Sequence, residues 1–516
     1  MNDIVQIGAG ALGSILPEII LLVGGLLIML LDMAVSDKNE SGRGFMALAV
    51  VFLLISAIGV YLQMVYVAPP DPNAAPPANL VTLVVDPFGT FMKVIIYSGM
   101  LLVALAGGSY MNQRVSGRGE FWVLFMFVTL AMSIAVSANN LLLLFLAIEF
   151  LSITSYCLVG FIREDNRSSE AGVKYFLYGS VASAVMLYGM SMLYGATGSL
   201  NLQEIAAALL ASKESNPELG TVVLPIVLLL LVGLGFKTSL APFYQWAPDV
   251  YDGAPTPITA YLSTTSKAVG FAALVRILIV ALGGYYAEWV PILAGFSILT
   301  MSIGNLIALR QTSAKRMLAY SSVAQAGYIL MGLVAVVTTS QADIKTLTMN
   351  GLNGLLIYLF AYLFTNVGAF MVIMAVEEAT GTDDISGFNG LGKRSPGLAW
   401  AMFLFLLSLT GIPLTGGFFG KFLVFGAAIQ HQYFWLAAIA MINAGIAAYY
   451  YLNIVRAMFF AGDASSDETS ATMPISLSVQ FSLIICVLAT LWIGLYPISV
   501  IDWAANASEK LLALMG

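Results

Sequence analysis

Two lysines lie inside long apolar stretches of this sequence, and they constrain the fold more than any other feature. Lys237 follows PIVLLLLVGLGF (residues 225–236), and Lys267 precedes AVGFAALVRILIVALGG (residues 268–284). If each helix enters the hydrocarbon at the proline twelve residues earlier, each lysine lies about 18 Å along the helix axis, near mid-bilayer. A charge there costs roughly 2.5–3.5 kcal/mol, so we interpret both lysines as functional groups rather than snorkelling side chains.

The composition places the whole chain in the membrane. Of 516 residues, 59% are hydrophobic and 9% are charged, against about 25% charged in soluble proteins. No basic stripe or Cys/His cluster indicates nucleic-acid or zinc binding, and we expect no bound metal. Cys157 and Cys486 lie in apolar runs and are too few for a disulfide framework or an iron–sulfur site.

The apolar runs predict an all-α polytopic protein with about fourteen membrane spans and no cleaved targeting segment. The predicted spans 1 to 14 cover residues 15–34, 44–67, 87–110, 120–138, 140–162, 170–196, 222–250, 255–284, 286–309, 315–338, 346–378, 396–427, 432–460 and 474–497.

The lysines and arginines of the connecting loops predict the orientation. The odd-numbered loops hold twelve of them: Lys38, Arg43, Arg114, Arg118, Arg163, Arg167, Arg310, Lys315, Arg316, Lys393, Arg394 and Arg456. The even-numbered loops and the C-terminal tail hold three, Lys213, Lys345 and Lys510. The positive-inside rule therefore places the odd loops in the cytoplasm and both termini outside, in a bacterial cytoplasmic (inner) membrane or, alternatively, a mitochondrial inner membrane.

The predicted spans fall into two blocks of five. Three N-terminal spans (residues 1–119) precede spans 4–8 (residues 120–284) and spans 9–13 (residues 285–462), and residues 463–516 hold span 14 and a short tail. Because each block has an odd number of spans, the second enters the membrane inverted relative to the first. We predict two inverted five-helix repeats.

The fourth span of each repeat contains a proline that interrupts the helix. Pro242 lies in span 7 and Pro413 in span 12, with Lys237 and Lys421 close by. Proline removes one backbone donor and costs about 3 kcal/mol in a helix interior. Corresponding interruptions in two halves indicate an ion path, because unwound backbone at membrane depth must be buried in protein or line a wet cavity; packing alone is the alternative.

A buried carboxylate completes the set of candidate groups. Glu149 lies in NNLLLLFLAIEFLSITSYCLVGF (residues 139–161), about 15 Å inside span 5. A lone carboxylate there needs a cation, and we predict that it pairs with Lys237; a protonated Glu149 bonded to a serine is the alternative. Glu149, Lys237, Lys267 and Lys421 then form a lateral row with an outer exit at Lys421.

Apart from the loop charges counted above, the predicted spans contain three further cationic residues. Lys174 and Lys93 lie only a turn or two inside their spans, where snorkelling to the surface competes with a place in the row. Of these two, Lys174 is added to the candidate proton path. Arg276 fits either snorkelling or a polar path.

Four segments together resemble a known family. They are LLFLAIEFLSITSYCLVGF, FKTSLAPFYQWAPDVYDGAPTP with the following TTSKAVGF, KRMLAYSSVAQAGY, and LTGIPLTGGFFGKF. This combination resembles the antiporter-like proton-pumping subunits in the membrane arm of respiratory complex I, NADH:quinone oxidoreductase. The resemblance extends over nearly the whole chain.

The resemblance implies a translocase subunit without redox chemistry of its own. Glu149 would pair with Lys237, Lys267 would connect the central axis, and Lys421 would serve the second half-channel. Flavin, iron–sulfur clusters and quinone would belong to partner subunits of the membrane-bound complex, and this chain would hold no cofactor. Many relatives have histidines where this chain has Tyr244 and Gln325, which removes any relay through imidazole at those positions.

The charge placement suggests how such a row would operate. Desolvation disfavours a buried ammonium and an adjacent carboxylate favours it, so separating Glu149 from Lys237 would release a proton toward Lys267. Three alternatives remain open at this stage: a cation/proton antiporter subunit of an Mrp-type complex, the equivalent subunit of a ferredoxin- or formate-linked complex, and a membrane scaffold. Lysines rather than carboxylates along the row disfavour a sodium site.

Overall fold

A computed structural model describes residues 13–34, 42–66, 82–115, 118–215, 219–336, 350–461, 473 and 475–513. Lys38 and Lys345, which contribute to the loop charges above, lie outside these ranges. Across the described ranges the secondary structure is helical, with three isolated β-bridges and no β-strand. The prediction of an all-α membrane protein is confirmed.

Eighteen helices organise the described residues. They are α1 (Leu16–Ala34), α2 (Gly42–Tyr66), α3 (Pro87–Arg114), α4 (Arg118–Ser137), α5 (Leu141–Val159), α6 (Asn166–Thr197), α7 (Leu202–Ser215), α8 (Leu219–Thr238), α9 (Trp246–Gly253), α10 (Thr256–Ala281), α11 (Tyr286–Ala308), α12 (Ala314–Val334), α13 (Gly351–Thr380), α14 (Pro396–Thr410), α15 (Gly416–Gln430), α16 (Phe434–Phe460), α17 (Leu477–Leu495) and α18 (Ile498–Leu512). A four-residue helical turn, Leu391–Arg394, precedes α14.

Twelve helices of the described ranges are long and apolar enough to cross a membrane, and they correspond to twelve of the fourteen predicted spans. The other two predicted spans are each built from two shorter helices. Span 7 consists of α8 and α9, and span 12 consists of α14 and α15. The two interruptions therefore lie in the spans in which the prolines predict them.

The loops separate onto two faces of the bundle, as successive crossings require. On one face the odd-numbered loops contact each other through ion pairs: Arg167 with Asp252 at 3.0 Å, and Arg316 with Asp249 at 2.8 Å. We call this the odd-loop face. On the opposite, even-loop face, even-numbered loops meet through backbone hydrogen bonds: Asn139 N donates to Thr82 O at 2.9 Å, and Leu141 N donates to Leu200 O at 2.8 Å.

Two helices form the centre of the bundle. The membrane-crossing stretches of α10 and α13 are entirely buried by protein, and the two helices pack against each other and against α3. Within α10, residues Leu262–Ser266 and Arg276–Ala281 are π-helical. Because lipid does not reach α10, a charged side chain on it faces only protein and internal water.

The C-terminal tail forms an amphipathic helix, although the sequence predicts only a short tail. One face of α18 packs on α3 and α13. The Trp503 ring lies 4.3 Å from the Phe91 ring, centroid to centroid, and 6.0 Å from the Phe360 ring. This helix follows α17 directly, so it joins the end of the chain to the N-terminal helices.

Candidate functional site

The first interruption leaves few backbone groups unpaired. After α8 ends at Thr238, Ser239 takes a left-handed conformation with φ 59°, and Leu240 N donates to Gly235 O at 2.8 Å. Ala241 N donates to Thr300 Oγ1 at 2.9 Å. Capping of this kind allows a break inside apolar protein, since an unpaired backbone group there is costly.

Lys237 lies in the last turn of α8 and is 3% exposed. Its Nζ donates to Ser152 Oγ at 3.2 Å and to Tyr175 OH at 3.5 Å. The charge of Glu149 acts on Lys237, but no ion pair of 4.0 Å or less joins them within the described ranges, and Glu149 Oε1 is buried without a hydrogen-bond partner. The ammonium contacts a hydroxyl one turn beyond Glu149 on α5 instead of the carboxylate.

Lys267 lies immediately after the first π-helical segment of α10 and is 1% exposed. Its Nζ donates to both oxygens of one residue of α12, to Ser322 O at 2.7 Å and to Ser322 Oγ at 2.6 Å. The described residues provide no carboxylate within 4.0 Å of this ammonium. π-Helical segments are frequent at functional sites, but neither the segment nor Ser322 could be identified from the sequence pattern.

At the second interruption, Lys421 forms hydrogen bonds with the backbone carbonyls of the interrupted helix itself. Here α14 ends at Thr410, and Gly411 takes φ 91°. Lys421 Nζ, on α15, donates to the carbonyl oxygens of Leu409 at 2.8 Å and Thr410 at 2.9 Å. These carbonyls belong to the C-terminal turn of α14, where helix ends lack backbone donors and the helix dipole favours a cation.

Gln325 connects the Lys267 and Lys421 sites. It lies one turn beyond Ser322 on α12, and its Nε2 donates to Leu409 O at 3.1 Å, the same carbonyl that Lys421 contacts. Tyr358 OH donates to Gln325 Oε1. The Gln325 amide therefore provides a hydrogen-bonded link between α12, α13 and the end of α14.

Lys174 and Arg276 each pair with carboxylates. Lys174 is 40% exposed on the odd-loop face, where its Nζ lies 2.8 Å from Glu170 and 3.2 Å from Asp249. Arg276 is 1% exposed and forms a bidentate pair with Asp86 at 2.8 and 3.0 Å. Lys174 thus reaches the surface, and Arg276 fastens α10 to the start of α3; the sequence analysis did not identify Asp86.

Lys93 does not snorkel. It is 2% exposed, and its Nζ lies 2.8 Å from Glu18 Oε1 on α1. Glu18 was missed because a glutamate in the first turn of a helix is an ordinary helix-start residue. The only sequence signal was the presence of a carboxylate and a lysine in neighbouring apolar runs.

Comparison with known proteins gives a consistent assignment. The family described as NADH:quinone oxidoreductase/Mrp antiporter, TM, matches residues 138–447, which is more than half of the chain. NADH-quinone oxidoreductase subunit N of Trichlorobacter lovleyi is 37% identical over 500 residues, covering 96% of both chains. The protein of the same name from Desulfitobacterium hafniense is 40% identical over 434 residues, covering 83% of this chain and 86% of its own.

Solved structures agree in fold. A chain of respiratory complex I from Thermus thermophilus is 31% identical with a TM-score of 0.75, covering 95% of this chain and 99% of that one. A chain of the Mrp complex from Dietzia sp. DQ12-45-1b has a TM-score of 0.81 at 19% identity, covering 98% and 100%, and shows the fold alone.

Two sequence features resemble subunit N of complex I: FAYLFTNVGAF in α13, and Lys421 rather than a glutamate in α15. The relatives' names support the same choice. The chain belongs to the NADH:quinone oxidoreductase/Mrp antiporter transmembrane family, with the subunit N proteins of NADH-quinone oxidoreductase among its relatives.

Proposed function

We propose that this chain is the proton-translocating membrane subunit of a proton-pumping NADH:quinone oxidoreductase, driven by redox chemistry in other subunits. Its partners would be the other membrane-arm subunits. Flavin, iron–sulfur clusters and quinone would be bound by partner subunits of the complex. This chain would hold no cofactor or metal. The odd-loop face would be cytoplasmic and both termini outside. Support comes from the relatives named NADH-quinone oxidoreductase subunit N.

One observation carries the proposal: three buried lysines are held by uncharged oxygens rather than by carboxylates. Lys237, Lys267 and Lys421 are 3%, 1% and 5% exposed, and their ammonium groups donate to hydroxyls or backbone carbonyls. Burial disfavours an ammonium, and neutral acceptors offset this less than a carboxylate does. Each lysine can therefore lose and regain a proton when a nearby charge moves.

Movement of Glu149 relative to Lys237 would start the transfer. As the carboxylate approaches, it favours the ammonium form of Lys237, and as it withdraws, Lys237 releases the proton. The unpaired oxygen of Glu149 and the absence of direct contact correspond to the withdrawn arrangement.

Hydroxyl groups line the space toward Lys267. Tyr251 OH, Ser239 Oγ and Tyr362 OH are buried and form no hydrogen bond of 3.5 Å or less with the described residues. Tyr251 OH lies near both Ser239 and Ser322, and Tyr362 OH lies near Ser322, the residue that holds Lys267. Buried hydroxyls in such a position are usually completed by water. We propose that water there carries the proton from Lys237 to Lys267, and that the Ser322–Gln325 turn of α12 leads on to Lys421.

Replacement of the first pair tests the proposal. Glu149→Ala and Lys237→Ala in the assembled complex should each lower NADH-driven proton transport in vesicles by about tenfold or more, with NADH oxidation by an artificial electron acceptor unchanged. Lys510→Ala, which removes an exposed lysine of α18, is the matched control. Full pumping by both row variants would disprove the role of the pair.

The alternatives predict other results. An Mrp-type antiporter subunit, favoured only by the shared fold, would show sodium-dependent transport. A scaffold subunit predicts that the lysine variants fail to assemble, rather than assembling and pumping poorly. A ferredoxin- or formate-linked complex would pump without NADH, and the neighbouring genes would encode its electron-input subunits.

A further inference from the structure

A second group of buried charges lies outside the lysine row, where α1, α2, α3 and α4 meet. The side chains of Lys93 and Glu18 are 2% and 8% exposed, with Nζ 2.8 Å from Oε1. Ser133 Oγ, on α4, donates to the same carboxylate oxygen at 2.6 Å, and Lys93 Nζ also donates to Gln63 Oε1 at 3.3 Å. All described hydrogen bonds to the Glu18 carboxylate therefore end at Oε1.

The other carboxylate oxygen has none. Glu18 Oε2 is buried and lacks a hydrogen-bond partner. In the neighbouring Asp86–Arg276 pair, by contrast, Oδ1 accepts from Arg276 Nη2 and from Gly89 N, and Oδ2 accepts from Arg276 Nη1. Both carboxylate oxygens of Asp86 thus accept hydrogen bonds, whereas only one oxygen of Glu18 does. A buried carboxylate oxygen without a donor is costly in apolar surroundings.

We propose that Glu18 is a proton-binding site, separate from the lysine row, that takes one proton on Oε2 from the even-loop face. The titratable groups facing Glu18 are Lys93 and Tyr97 of α3; α4 faces it with Ser133 and α2 with Gln63, neither of which titrates. Among the described residues, Lys93 is therefore the one charge paired with the ionised form.

The pair lies close to the even-loop face. Lys93 lies six residues after the first residue of α3, about 9 Å along the axis, and α3 begins at the even-loop face. Gln63 Nε2, beside Lys93, donates to Gly13 O at 3.2 Å and Ser14 O at 2.7 Å, at the start of the described chain. Polar contacts thus continue from the pair toward that end of α1.

Protonation is a simple addition to the carboxylate. A hydronium ion at the even-loop face supplies the proton, an O–H bond forms at Oε2, and water remains. The pair then changes from one negative and one positive charge to a single positive charge on Lys93. Release reverses the step, so no oxidant or further reactant is needed.

Infrared difference spectroscopy of the assembled complex, acidic minus alkaline, tests the site without reference to pumping. The wild type should show a carboxylic acid C=O band that Glu18→Gln loses and that Glu509→Gln, an exposed glutamate of α18, keeps.

A second variant tests the same expectation without leaving an unpaired charge that would hinder assembly. Glu18→Gln with Lys93→Met leaves no unpaired buried charge and carries the same expectation of a lost band. A wild-type difference spectrum in either Glu18→Gln variant would overturn the proposal. Because the readout is a carboxyl vibration, this result is independent of whether Glu149 and the lysine row translocate protons.

Discussion

The two interruptions share the same backbone conformation at the helix end, but their lysines lie at different positions relative to the interruption. At each, the residue after the helix is left-handed, with φ 59° at Ser239 and 91° at Gly411. At each, the next N–H bonds the carbonyl five residues earlier: Leu240 N to Gly235 O at 2.8 Å, and Ile412 N to Leu407 O at 3.0 Å. Both helices end in the same type of C-terminal cap.

The lysines make the difference. Lys237 precedes its interruption by two residues and reaches away from it, to hydroxyls of α5 and α6. Lys421 follows its interruption by ten residues and turns back onto the carbonyls of Leu409 and Thr410. The second interruption is therefore itself the binding site for an ammonium, whereas the first only shapes the space around one.

Neutral replacements of the two lysines should separate stability from transport. Lys421→Met and Lys237→Met should both reduce pumping by about tenfold or more. Only Lys421→Met should also destabilise, by about 1–3 kcal/mol, because it leaves the Thr410 carbonyl without its side-chain donor and the Leu409 carbonyl with Gln325 alone. Thermal unfolding of the assembled complex measures this, and an equal loss of stability in both variants would refute the distinction.

Gly411→Ala should disturb the second interruption alone. A Cβ at φ 91° costs about 1–2 kcal/mol, and it would lie 2.8 Å from Lys421 Cδ. We expect lower thermal stability and weaker pumping. Gly397→Ala, in the first turn of α14 with nothing within 4 Å of the added Cβ, should be neutral or slightly stabilising, and a matching result for both variants would contradict the expectation.

Removing one serine hydroxyl beside each lysine compares how strongly pumping depends on the hydrogen bonds of Lys237 and of Lys267. Ser152→Ala deletes one of the two described acceptors of Lys237, whereas after Ser322→Ala, Lys267 keeps the backbone oxygen at 2.7 Å. Loss of one hydrogen bond of about 0.5–1.5 kcal/mol corresponds to a change of roughly two- to tenfold in pumping. Ser152→Ala should show the larger change, and the reverse order would indicate that Ser322 Oγ itself carries the proton.

The smallest effect should come from Ser239→Gly. Serine is strained at φ 59° and its Oγ forms no hydrogen bond of 3.5 Å or less with the described residues, so glycine relieves the conformation and loses only the proximity of this hydroxyl to Tyr251. The added freedom of the unfolded chain offsets part of the gain. We expect a change below about 1 kcal/mol in thermal stability, opposite in sign to Gly411→Ala; a marked loss of stability would show that the Ser239 hydroxyl stabilises the fold.

The sequence predicted features that depend on local chemistry. Proline beside small residues indicated both interruptions, and a charge inside an apolar run indicated Lys237, Lys267 and Lys421 as buried groups. The division into repeats and the proton-path roles stay predictions. Loop charges predicted alternating loops, and the contacts on the two faces agree with that alternation.

Features that depend on packing between distant segments could not be predicted. Which oxygen an ammonium contacts is decided by how helices meet, so Ser152 and Ser322 were missed, and the direct Glu149–Lys237 contact is absent from the described arrangement. The Glu18–Lys93 pair joins two residues that are 75 positions apart in the chain, on helices with no local link between them.

The π-helical segment before Lys267 has a consequence for sequence comparison. A π-turn holds one more residue than an α-turn, and one residue rotates an α-helix by about 100°. A relative lacking one residue within Leu262–Ser266 would close the wide turn into a plain α-turn, and every later side chain would keep its direction. A relative of equal length without the π-turn would instead direct the lysine aligned with Lys267 about 100° away from Ser322, so a one-residue gap at this point would mark a preserved centre rather than a rewired one.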